Sequence, residues 1–167
     1  MYARKIKGAY IMGENPAMSD PDQNHTREAL SRLEHLVVQD IFLTETAAFA
    51  DVILPATAFP EKDGTFTNTD RRVQLGRKAV PAPGEAKQDW WIIQEIAQRM
   101  GLSWDYTEPR DIFAEMRQVM PSLTGITWHR LERESAVTYP CEDEFSEGQS
   151  VIFADGYPTE SGRGKLV

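Results

Sequence analysis

The sequence predicts an α/β fold, a mainly parallel sheet flanked by helices, on three observations. Leu36-Val37-Val38-Gln39-Asp40 is a short β-branched run between polar residues, the pattern of a buried parallel strand rather than one with a wet face. The first 40 residues read in the order strand, loop, helix, strand, which is one βαβ unit whose right-handed crossover returns the loop to the second strand's carboxyl end. The two polar residues of the run, Gln39 and Asp40, fall at that end, where open α/β sheets take ligands.

Ala9 to Met12 is the first strand, closing on the loop Gly13 to Ser19. A helix follows, with Asp20 expected as its N-cap, Pro21 at the first helical position and Gln23 as a capping-box partner. Ala29, Leu30 and Leu33 give it an inward face. Gly13-Glu14-Asn15-Pro16 carries one glycine, so it is not the three-glycine dinucleotide fingerprint. Asn15 and Ser19 instead offer side-chain hydrogen-bonding groups beside a helix start that favours an anion. A tight turn with Asn15 held extended before Pro16 explains the same residues without a ligand.

Gln39 can donate and accept, whereas the carboxylate of Asp40 only accepts, a pairing suited to a ribose diol or a guanine edge. Asp40 could equally cap the next turn. Thr44 to Ala50 reads as a short helix capped by Thr44, and Val52-Ile53-Leu54 as a third strand ended by Pro55. Asp51 enters that strand at the opposite end from the ligand edge and is expected to be structural. Past Pro55 the chain is expected to form a polar loop at the ligand edge, from Glu61 to Gln74, with Lys62 the mobile point charge. A solvated loop has this composition too.

Pro81 to Gly84 breaks the chain before the clearest helix, begun by Asp89, lined by Trp90, Ile93, Ala97 and Met100, and ended by Gly101. Asp89 as an N-cap accounts for its position without a ligand. Asp111 to Met120 is a second amphipathic helix through Ile112, Met116 and Val119. Gly125 to Glu134 is ambiguous, residues 142–148 are acidic, and Val151 to Phe153 reads as a last short strand. The final residues stop without a terminator, as expected of a segment of something longer.

Composition narrows the function. At 167 residues and 41% hydrophobic the chain has material for one real core. A net charge of −8 without a basic run argues against nucleic acid or an anionic membrane as partner. With Cys141 the one cysteine and His25, His35 and His129 far apart, neither an internal disulfide nor a thiolate metal cluster is expected. Without a long apolar run or secretion signal, a soluble protein of the reducing cytoplasm is the expectation.

Gly13-Glu14-Asn15-Pro16, Val38 to Ala47, Ala50 to Pro55, Glu61 to Asn68 and Pro83 to Ala86, in this order, resemble the molybdopterin oxidoreductases. The likeness is strongest to the alpha subunit of molybdenum or tungsten formate dehydrogenases, with nitrate reductases next. It implies a three-layer, Rossmann-like nucleotide-binding α/β domain over residues 1–167, with a core at 5–104 and a looser helical, acidic part at 105–167. That domain would grip a guanine dinucleotide arm of bis-molybdopterin guanine dinucleotide. The implied cofactor contacts are Asn15, Gln39, Asp40, Lys62 and Asp89, with Ser19 a further one. Asp40 and Asp89 would take ribose hydroxyls or guanine N–H groups, Asn15 and Ser19 polar atoms near the pyrophosphate, and Lys62 would balance charge. The metal's cysteine or selenocysteine ligand, its neighbouring histidine and the iron-sulfur cysteines have no match, so no catalytic or metal-binding residue is assigned and the chain alone is expected to be inert towards formate. Its implied partners are other domains of the same subunit and electron-transfer subunits. A stand-alone nucleotide-binding module without a redox role is the remaining reading.

Overall fold

The computed structural model describes residues 1–166, which form two compact units: residues 1–62 with 77–105, and residues 63–76 with 106–166. In the first unit β1 (Gly8–Met12), β2 (His35–Asp40) and β3 (Val52–Pro55) make a parallel sheet in the order β1-β2-β3. The register pairs Met12 with Gln39 and Asp40 with Pro55, so all three strands end at one edge. Leu36 and Val38, 1% and 0% exposed, point from one face onto Ala17, Leu30 and Ala47. Ala9 and Ile11 of β1 join the same core, and the expected βαβ unit is present.

The crossover differs from expectation in its punctuation. Residues Pro16–Ser19 form a one-turn helix, α1, where a loop was expected, and α2 runs Gln23–Ser31. The N-cap of α2 is Asp22, whose carboxylate accepts from the His25 N–H at 3.0 Å, not Asp20. Asp20 instead accepts from the Thr26 hydroxyl at 3.1 Å, and Gln23 Nε2 donates to the Met18 carbonyl at 2.7 Å. Two aspartates flank one proline here, and which of them caps depends on where α1 stops. The helix expected from Thr44 to Ala50 is a 3₁₀ turn at Ala47–Phe49 with Thr46 in the cap position, and Thr44 Oγ1 accepts from the Ala47 N–H at 3.2 Å just ahead of it. Asp51 takes the Leu36 N–H at 2.7 Å, at the end of the sheet away from the candidate site.

Helix α3 (Asp89–Arg99) starts with Asp89 as its first helical residue; Gln88 holds the cap position and no side chain caps it. Its buried residues are Ile92, Gln94 and Ala97, whereas Ile93 and Met100, expected inside, are 37% and 77% exposed. The pattern of Trp90, Trp91, Ile92 and Ile93 is apolar all round, so periodicity alone leaves the phase of the helix open.

In the second unit, β4 (Gly64–Thr67) and β5 (Arg72–Gly76) form an antiparallel hairpin, to which β6 (Ala136–Thr138) adds beside β5. Most of the stretch expected to be an irregular loop is therefore this hairpin, turned at Arg71 with φ of 66°. Helices α4 (Pro109–Val119) and α5 (Trp128–Glu134) pack Phe113 and Leu131 with Val73, Ile126, Val137 and Cys141. The buried centre of α4 is Phe113; Met116 and Val119 are 38% and 72% exposed. Val151 to Phe153 is a turn, not a strand, and Cys141 is a buried free thiol.

Arg130, 6% exposed, ties this unit together. Its guanidinium donates to the carbonyls of Gly125 at 3.1 Å, Asp143 at 3.3 Å and Ser146 at 2.5 Å, and to Glu134 at 2.7 Å. The bond from Arg130, then that from Arg133, holds the Glu134 carboxyl below the usual glutamate range.

Three outcomes follow from these contacts. Asp22→Ala should cost about 1 kcal/mol of stability in urea unfolding, and Asp22→Ser much less. Arg130→Met, which strands several carbonyls, should cost on the order of 3 kcal/mol. Because the folded state lowers the Glu134 pKa, its contribution is present above the ordinary value of about 4.3 and lost as pH falls through the folded one. Acid titration of stability below about pH 4.5 should therefore be shallower in Glu134→Gln than in the unaltered chain.

Candidate functional site

Parallel pairing gathers three strand ends, and the loops leaving them build the site. Gly13, at φ of 63°, turns the chain out of β1 while its N–H donates to the Gln39 carbonyl at 2.9 Å. Beyond β3, Lys87 N–H donates to the Pro55 carbonyl at 3.0 Å and Thr57 N–H to the Lys87 carbonyl at 3.1 Å. This one-residue parallel bridge between Ala56 and Lys87 brings the start of α3 beside the sheet's carboxyl edge. Asp89, two residues later, thereby reaches Gln39.

Gln39 is 0% exposed, and its Nε2 donates to Asp89 Oδ1 at 2.7 Å. Lys62 forms an ion pair with Asp89 Oδ2, the two side chains being 24% and 28% exposed. The Tyr10 hydroxyl donates to Gln39 Oε1. An ionised carboxylate only accepts, so the amide nitrogen must face Asp89 and the amide oxygen Tyr10. Burial, and secondarily the Asp89 charge, raises the Tyr10 pKa above its ordinary value, so the phenol stays a donor further into the alkaline range.

The other face of the sheet carries a second cluster. Asn15 Oδ1 accepts from the Thr46 N–H at 3.1 Å and hydroxyl at 2.8 Å, while its Nδ2 donates to Glu45 at 2.6 Å. Asn15, first among the causes, holds the Glu45 carboxyl below its usual range. Ala17 N–H donates to Thr46 Oγ1 at 3.1 Å, and the Met18 and Ser19 N–H groups to the Asn15 carbonyl at 3.0 and 2.9 Å. With Pro16 lacking an N–H, the first amides of α1 are consumed inside the protein.

Of the six sequence-derived candidates, the structure connects Gln39, Lys62 and Asp89 directly. Asp40 follows Gln39 but, by strand alternation, faces the other way, and its Oδ1 accepts from Phe42 N–H at 3.1 Å as a turn cap. Asn15 lies with that second face through Thr46 and Ala17, and Ser19 ends α1, exposed. Arg71, one of the polar residues expected at the ligand edge, is committed to the carbonyls of Tyr139, Gln149 and Ser150 at 2.7, 2.8 and 2.7 Å.

Two residues escaped the sequence reading. Tyr10 alternates with Ala9 and Ile11 and so falls on the face of Gln39, a signal visible once the register is known. Thr57, 1% exposed, carries the one buried side-chain polar atom among the described residues that has no hydrogen-bond partner. Among those residues no group of three or more His, Cys, Asp or Glu is arranged to hold a metal ion, and no helix is long and apolar enough to cross a membrane.

Known proteins resemble this chain along almost its whole length. The family described as molybdopterin oxidoreductase matches residues 1–99. The F420-dependent formate dehydrogenase subunit alpha of Methanocaldococcus jannaschii is 53% identical over 165 residues, 98% of this chain and 24% of that protein. The putative formate dehydrogenase YrhE of Bacillus subtilis is 52% identical over 154 residues, 92% of this chain and 15% of that protein. Among solved structures, acetylene hydratase from Pelobacter acetylenicus superposes with a TM-score of 0.69 at 25% identity, covering 94% of this chain and 21% of that one. The chain thus spans a quarter or less of these curated relatives. On the family match and on identities above one half, the chain belongs to the molybdopterin oxidoreductase family.

Proposed function

We propose that this chain is the cofactor-binding α/β domain of a formate dehydrogenase alpha subunit, in which it holds a guanine dinucleotide arm of bis-molybdopterin guanine dinucleotide. The observation that carries the reading is the Gln39, Lys62 and Asp89 cluster at the carboxyl edge of a parallel sheet. Such a donor set fits a nucleotide. Asp89 offers acceptor oxygens for guanine N–H groups or a ribose diol, and Lys62 a cation near phosphate. The unpartnered Thr57 hydroxyl, two residues past the last strand, supplies a further polar atom for a bound ligand to satisfy.

Asp40 is the second candidate for ribose or base, since its turn bond uses one oxygen of two. Asn15 and Ser19 sit beside the pyrophosphate in this reading, Asn15 acting through the loop it pins to Thr46. When bound, the metal centre of such a cofactor supplies the redox chemistry, and this chain's residues hold and orient the nucleotide tail. Metal ligands, an iron-sulfur cluster, other domains of the subunit and electron-transfer subunits belong to the longer protein. A cytoplasmic setting is part of the proposal.

A second reading keeps the domain and its cofactor but changes the substrate to nitrate or another small molecule; the structural match to a chain named as a hydratase supports only that the substrate need not be formate. Both readings share the nucleotide grip.

Titration calorimetry with GDP tests it. Asp89→Ala and Asp40→Ala should each weaken binding by about 1.5–3 kcal/mol, roughly ten- to a hundredfold. Unchanged affinity in both variants would contradict the assignment. The chain by itself should not turn over formate with an artificial electron acceptor.

A further inference from the structure

Resting on the reading of the site as a guanine-nucleotide grip, we infer that Tyr10 is a positioning residue that fixes the Gln39 amide and so sets the preference for guanine over adenine. The geometry begins in β1. Tyr10 pairs with Val37 and Met12 with Gln39, so the tyrosine stands one strand repeat behind the rim, roughly 6.6 Å along the strand from Met12. A tyrosine side chain spans about that length, and the hydroxyl reaches Gln39 Oε1.

Gln39 cannot orient itself. Its two amide ends are nearly the same shape, and packing around a fully buried side chain does not tell them apart. The Asp89 carboxylate does, because it requires the nitrogen, and the Tyr10 hydroxyl, donating to the oxygen, then holds the amide in place. The result is a directional chain, Tyr10 to Gln39 to Asp89, with Lys62 closing on the other carboxylate oxygen. Asp89 is thereby clamped from two sides, and the directions of its remaining acceptor lone pairs are set.

Direction matters for the base. Guanine presents two adjacent N–H donors on its Watson–Crick edge, which one carboxylate accepts together. Adenine presents one acceptor and one donor there, and places its ring nitrogen lone pair against the carboxylate. A clamped carboxylate therefore discriminates between the two bases, and a loose one does so less.

The test removes one oxygen atom. In Tyr10→Phe of the whole chain, GDP affinity should fall about five- to tenfold with ADP affinity changed by less than about twofold. The side-chain amide resonances of Gln39 should shift in the variant without any nucleotide. A purely structural role would lower both affinities together and leave their ratio alone. An unchanged GDP to ADP ratio, or unmoved Gln39 resonances, in a chain that binds GDP would overturn the role of Tyr10 by itself. Failure of GDP to bind the unaltered chain would overturn the nucleotide reading, and this inference with it.

Discussion

The hydrogen bond from Gln39 to Asp89 is the constraint on which the candidate site depends, because it joins positions fifty residues apart at the rim of one sheet. Everything upstream of it serves to make that meeting possible. The parallel register aligns Met12, Gln39 and Pro55 at a common edge, and the Ala56 to Lys87 bridge steers the chain into α3 beside them. Gln39 is fully buried, so an amide without partners there would cost about 1–3 kcal/mol of desolvation. Tyr10 and Asp89 offset that cost, which makes the cluster a structural necessity.

Two polar clusters on opposite faces of the same rim divide the work. On one face Lys62 and Asp89 are a quarter exposed, wet enough to exchange partners with a ligand. On the other, Asn15 is spent on Thr46 and Glu45, which fixes the shape of its loop, and Asp40 gives one oxygen of two to its own turn. Opposite charges in the first cluster nearly cancel, which suits a ligand carrying both a donor-rich base and an anionic diphosphate.

Much of this was legible in the sequence. Three strands, the crossover between the first two, and Gln39 at a carboxyl end follow from β-branched runs and their polar boundaries. The likeness of the quoted motifs to a known family added Asp89, which local pattern alone read as a cap. What escaped was fixed by tertiary context. Asp20 and Asp22 are equivalent as caps until α1 is known to exist. The inward phase of α3 is hidden in a run of four apolar residues, and the alternation of Thr65, Phe66, Val73 and Leu75 was masked by the charged turn between them. Tyr10 could not be found without a register, because its role lies in which neighbour its hydroxyl meets.

The most direct measurement is a map of backbone and side-chain amide resonances of the whole chain as GDP is added. The account predicts the largest changes at Gly13, Gln39, Thr57, Lys62 and Asp89, around one rim of the parallel sheet. Changes centred on the Gly64–Thr67 and Arg72–Gly76 hairpin, or none at all, would contradict it.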